Sequence, residues 1–151
     1  MFFRKKQLLK IKELIYFAEE SKIMSFLSKV KDPQIFHVYM YNYNWDDGFE
    51  IPQLIIDSGK IELSTALLIF YDAGGYDFLL DKEENNLSLD EENLFIKNLY
   101  ESILHGKFIK GKIGFNIPLT KVQKYKLDKM LEKNEKILLE DISGKMLDIS
   151  I

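Results

Sequence analysis

Apolar residues recur at helical spacing along most of this chain. Leu8, Ile11, Ile15 and Ala18 fall on one side of a segment whose other side carries lysines and glutamates. That pattern predicts a first helix from about residue 3 to 20. Ile23, Met24, Phe26, Leu27 and Val30 predict a short second helix over 21–30. Asp32-Pro33 then reads as an N-cap followed by proline at the first helical position, opening the helix QIFHVYMYN. IPQLIIDSG reads as a short helix closed by Gly59. ELSTALLIFYDAGG reads as another, terminated at Gly74 or Gly75 and apolar almost all round, so it should be the buried central helix. Ser88 and Glu91 have capping-box spacing and should open a long helix through Leu104. Thr120 and Gln123 form a second such pair, opening a helix to about residue 133. In ILLEDISGKMLDISI, Ser143-Gly144 between apolar runs fits either a hairpin turn or a break between short helices. The fold expected is all-α: a compact bundle of about seven helices, with at most a minor β-hairpin at the C-terminus.

Composition adds few constraints. The length of 151 residues suits one domain, 1–151, and an apolar fraction of 46% supplies a real core. The absence of cysteine excludes disulfides, thiolate metal sites and cysteine nucleophiles. The N-terminal stretch is basic and broken by charges, so it lacks the h-region of a signal peptide. No run approaches the roughly 20 apolar residues of a membrane span. The expectation is a soluble, cytoplasmic protein with no membrane partner.

Between the third and fourth predicted helices lies YNYNWDDGFEIP, residues 41–52. Pro52 lacks an N–H and belongs in a first helical turn, so the following helix cannot begin much before Glu50. Asp46, Asp47 and Glu50 then stand at or before a helix N-terminus, where their charge suits the macrodipole and their oxygens can cap. Gly48 permits the sharp turn, and Trp45 and Phe49 would wedge into the corner. The same stretch also has the composition of a binding surface, with Tyr39, Tyr41, Tyr43 and Trp45 beside carboxylates. The two roles are compatible if the tyrosines face outward.

Asn44, Trp45, Asp46, Asp47 and Gly48, followed by Thr65, Ala66 and Leu67, resemble the pattern of a small bacterial domain family of unknown function. That family is marked by an Asn-Trp-Asp-Asp-Gly turn and a following Thr-Ala-Leu helix. The likeness covers about residues 37–80 and brings a fold but no established activity.

Other candidate chemistry is weak. Gly106 to Lys112 matches most of the phosphate-loop pattern, but Ile113 stands where a Ser or Thr should hold magnesium, and a helix precedes the loop instead of following it. A basic glycine-broken loop or a short strand pair is the better reading. A calcium loop centred on Gly48 would place Tyr43, Trp45 and Leu54 at ligand positions that need oxygens. His37 and His105 are far apart and flanked by apolar residues. Asp72 and Asp77 flank Gly74-Gly75 and, with Tyr71 and Tyr76, could line a pocket. No catalytic residue, metal ligand set or cofactor is assigned.

Charge is uneven. Residues 1–31 carry eight basic and three acidic side chains, a net of +5. Residues 32–105 carry three basic and fifteen acidic, a net of −12, and residues 106–151 carry ten basic and six acidic, a net of +4. Basic ends could simply pack beside the acidic middle. Alternatively, an acidic face could steer in a basic protein, a nuclease-type toxin being one that would fit. The leading expectation is therefore a non-catalytic inhibitor or toxin-immunity protein. Its contact surface would comprise Tyr39, Tyr41, Tyr43, Trp45, Asp46, Asp47, Glu50, Asp72 and Asp77. With one arginine and a pI near 5.5, direct nucleic-acid binding is disfavoured. The alternative is a small enzyme or ligand-binding domain with a carboxylate-lined pocket near Tyr43, Asp46, Asp47 and Asp72.

Overall fold

The computed structural model describes residues 5–151. The expected helix start near residue 3 therefore lies outside the described residues. The fold is all-α with minor strand. Lys5–Tyr16 (α1) and Glu20–Lys29 (α2) are separate helices, where the spacing had suggested that the first would run on to about residue 20. A straight helix can follow only one surface. The break lets α1 bury Ile11 and Leu14, and α2 bury Ile23 and Leu27 on another side of the core. Pro33–Tyr41 (α3) starts as expected, with the Asp32 carboxylate accepting from the Gln34 amide at 2.9 Å. After a single 3₁₀ turn, Trp45–Asp47, come Glu50–Asp57 (α4), Leu63–Asp72 (α5), Gly75–Leu80 (α6), Lys82–Leu87 (α7) and Glu91–Leu104 (α8).

Helix α5 is the centre of the molecule, packed on α3, α6 and α8. Every residue from Leu63 to Tyr71 is buried. Its polar groups are satisfied there: Ser64 Oγ donates to Ile113 O at 2.6 Å, Thr65 meets His37, and the Tyr71 hydroxyl donates to Leu138 O at 2.5 Å. Buried polar groups without such partners would cost about 1–3 kcal/mol each.

Two terminal expectations need correction. Ser88 does not cap α8. Its hydroxyl accepts from the Asp90 amide at 3.2 Å in a local turn, and Asp90 is the N-cap. The C-terminal hairpin is not formed either. Lys145–Met146 (β2) runs parallel to Ile113–Gly114 (β1), with Ile113 opposite Lys145. Parallel strands need a crossover, and Lys121–Met130 (α9) with the 3₁₀ segment Lys133–Leu139 provides it. Helix α9 does carry the expected capping box between Thr120 and Gln123. One cluster of buried side chains extends from Ile11 to Leu147.

Candidate functional site: the corner between α3 and α4 and the groove beside it

Asn44 makes the corner possible. Its side-chain oxygen accepts from the Asp46 amide at 3.1 Å and so starts the 3₁₀ turn. Gly48 then adopts φ 92° and ψ −168°. That region is essentially closed to residues with a Cβ. The Tyr43 hydroxyl donates to Gly48 O at 2.7 Å and locks the turn. Glu50 is the first residue of α4, and Pro52 falls within its first turn as its missing N–H requires. Capping by Asp46 or Asp47 is not seen: the 3₁₀ turn is capped by Asn44, and the N-cap position of α4 is Phe49, with no side-chain cap.

The aromatic residues of the stretch do not form an outward row. Tyr39 is 1% exposed and Tyr43 is buried, while Tyr41 is half-buried. Burial raises the Tyr43 hydroxyl to about 12, helped by the charges of Asp47, Glu20 and Glu50. Burial also raises that of Tyr39. Trp45 is partly exposed and joins a run of rings: Tyr43 edge-on at 5.2 Å, Phe49 at 6.2 Å and Phe95 at 6.1 Å. Phe49 and Phe95 are 4.9 Å apart. The Trp45 indole nitrogen is enclosed without a hydrogen-bond partner.

Phe49 and Phe95 also face an open groove of about 550 Å³ between α2, α4 and α8. Met24 and Leu54 complete its apolar lining, and Glu50 and Glu91 contribute carboxylates. Asp46, Asp47 and Glu50 are exposed. Glu20 lies against Glu50. A hydrogen bond to Glu50, then the charges of Glu50 and Asp47, hold the Glu20 carboxyl above its usual range. Glu20, Met24, Leu54, Glu91 and Phe95 were not among the site residues expected from the sequence. Their signal was a glutamate four residues before an apolar residue at three helix starts.

A DUF4274 domain of unknown function is found over residues 31–104. No curated protein and no solved structure matches the chain. The DUF4274 match spans α3 to α8, and so contains the corner, α5 and two walls of the groove. The third wall, α2 with Glu20 and Met24, precedes it.

The remaining sequence candidates lie elsewhere. Asp72 and Asp77 are exposed, neither lines the groove, and neither is among the charges that perturb Glu20, Tyr39 or Tyr43. Tyr43, Asp46, Asp47 and Asp72 line neither the groove nor the depressions beside Lys82, Tyr16 and Leu27. Although exposed, Asp72 is crowded by surrounding protein, which raises its carboxyl to about 6. His37 is buried and His105 exposed. Among the described residues, no three His, Cys, Asp or Glu side chains are grouped to hold a metal.

The phosphate-loop look-alike does lead into a short strand. Its cradle is filled from within: the Glu62 carboxylate accepts from the Ile113 amide at 2.9 Å. A Cβ on Gly111 would lie 2.2 Å from that carboxylate. A second cluster surrounds Glu135, which is 2% exposed. Burial raises its carboxyl, but Lys82 at 2.6 Å, the Tyr100 hydroxyl at 2.5 Å and the Glu132 amide at 3.0 Å prevail and hold it below its usual value.

Proposed function

We propose that this protein is a non-catalytic binding protein that blocks a basic protein partner. The model is an inhibitor or toxin-immunity protein working in a bacterial cytoplasm. The observation that carries this reading is the groove beside the corner, where an apolar lining is edged by Glu50 and Glu91 and flanked by exposed Asp46 and Asp47. Apolar area gives affinity, and carboxylates at the margin select a cationic partner and speed its arrival. Glu20 and Glu50 crowd one another, so an incoming Lys or Arg relieves a like-charge repulsion that the free protein tolerates. The net of −12 over residues 32–105 supplies the longer-range field. Blocking needs no reacting group, only a surface that fills the partner's own basic site. The contact surface is accordingly Trp45, Asp46, Asp47 and Glu50 with the groove, and Tyr39 and Tyr43 act as its buried support.

The test uses tagged protein as bait in lysate of its host at moderate salt, beside a D47K/E50K variant of unchanged helix content. The expected result is a stoichiometric basic protein, released at high salt and not captured by the variant. A partner that binds both baits equally, or that is not basic, would overturn the reading.

A further inference from the structure

The three helices around the groove share a pattern. Glu20 opens α2, Glu50 opens α4 and Glu91 opens α8. Four residues beyond each stands an apolar lining residue: Met24, Leu54 and Phe95. Residues i and i+4 lie on one helix face. Each wall therefore runs from a carboxylate at its first turn to hydrocarbon at its second.

The groove also continues. A second depression of about 420 Å³ shares Leu54 with the first and is lined further by Leu27, Ser28, Asp57, Ser58 and Lys60, so it is the more polar of the two. Leu27 follows Met24 by three residues on α2, and Asp57 follows Leu54 by three on α4. At 1.5 Å per residue, the two depressions follow one another at roughly one helical turn. A ligand helix repeats its apolar side chains at about that pitch, as i, i+3, i+4 and i+7 anchors.

We infer that the groove receives an amphipathic, cationic α-helix of the partner, with apolar side chains on Met24, Phe49, Leu54 and Phe95, a polar end over the second depression, and Lys or Arg against Glu20, Glu50 and Glu91. An extended segment is the poorer fit. It needs main-chain partners to replace water, and beyond their first turns these helices have committed their backbone groups internally. A helix brings its own hydrogen bonds and offers only side chains. The inference rests on the proposed function and narrows its partner to one recognition mode.

Trp45 reports on it directly. It is the chain's one tryptophan, and it contacts the Phe49 and Phe95 rings that line the groove. The full-length protein is titrated with a synthetic Leu/Lys peptide of about fourteen residues, long enough for helix, with Leu at helical spacing. The control has the same composition with Leu and Lys alternating. The expected result is a saturable change in Trp45 emission with the helical-period peptide, roughly tenfold weaker binding of the control, and a similar loss in E50Q/E91Q. These substitutions keep side-chain length at exposed helix starts, and circular dichroism checks the fold. Added salt should weaken binding in the unaltered protein. Equal binding of both peptides, or binding indifferent to both E50Q/E91Q and salt, overturns the helical mode. If neither peptide binds while a basic partner is still captured and lost with D47K/E50K, the helical mode falls and the proposed function stands. If capture fails as well, both fall.

Discussion

His37 and Thr65 meet in the core at 2.8 Å through the imidazole Nδ1, and burial holds the ring's pKa down at about 4. The Nε2 atom has no partner. A neutral ring with Nδ1–H donating to Thr65 leaves only an unfilled acceptor there, which is cheaper than an orphaned N–H. The unfolded chain protonates this histidine near its ordinary value of 6.5, while the folded chain resists until about 4. Between those values the unfolded state binds more protons, so stability falls as pH falls through that window and is unaffected above it. The full difference amounts to about 3 kcal/mol once pH is below both values. Asp72 acts in the opposite sense, because a raised carboxyl makes the folded state the better proton acceptor between its ordinary 3.8 and about 6. The two effects oppose each other between about pH 4 and 6. Urea midpoints of H37N and of the parent, measured from pH 7 to 4, separate the two effects. The parent should lose stability relative to H37N as pH drops, and D72N should steepen the loss. A parent-minus-H37N difference that does not change with pH would mean that His37 is not buried as a neutral ring.

At the scale of elements, the joint between the N-terminus of α5 and β1 is held by one acid together with the Ser64–Ile113 bond. Glu62 precedes α5, and its carboxylate holds the Ile113 amide at 2.9 Å while the Leu63 amide donates to Ile109 O at 2.9 Å. Ile113 is 1% exposed, so in E62A its amide would lose its acceptor where little water reaches. The expected loss is about 1–3 kcal/mol, with E62Q much milder because an amide oxygen still accepts. Chemical denaturation gives the totals, and hydrogen exchange at the Ile113 amide should quicken in E62A before the rest of the core. Unchanged exchange there would show that the joint is held by other contacts. This joint also marks what could be read in advance. Asp32-Pro33, Thr120 with Gln123 and the all-apolar run from Leu63 were legible because each is a local signal, complete within a few residues. The break after Tyr16 was not, since neither Gly nor Pro marks it and only the competing surfaces of the core require it. Nor was the pairing of Ile113–Gly114 with Lys145–Met146, which joins strands of two residues across an intervening helix. The corner was half legible. Gly48 and Pro52 located the turn, but the outward tyrosines were misjudged because Tyr39 faces the core and the groove is built by α2 and α8, distant in sequence.

For the molecule as a whole, the DUF4274 match ends at residue 104, but the core does not. Ile113, Phe115, Ile117, Leu127, Leu131, Leu138, Ile142 and Leu147 are all buried in the same cluster as α5. On the other side, Ile11, Leu14, Ile23 and Leu27 of α1 and α2 are buried too. Each such side chain contributes about 1.5–3 kcal/mol on burial, and a whole domain has a net stability of only about 5–15 kcal/mol. Removing either flank therefore uncovers core whose burial is of the same order as that margin. It also strands polar groups: the Ser64 and Tyr71 hydroxyls lose the Ile113 and Leu138 carbonyls, and Lys82 and Tyr100 lose the Glu135 carboxylate. The excised segment 31–104 should consequently fail to fold alone, with collapsed amide dispersion in its NMR spectrum and rapid proteolysis, whereas the full chain should melt in one transition. The groove makes the consequence functional, since Met24 and Glu20 belong to α2 and lie before residue 31. Any partner assay on the excised segment would then fail for want of a wall, whatever the chemistry of Glu50 and Glu91. A well-dispersed spectrum from 31–104 would reverse this. It would make the flanks accessory layers and require the groove to be assessed with two walls instead of three.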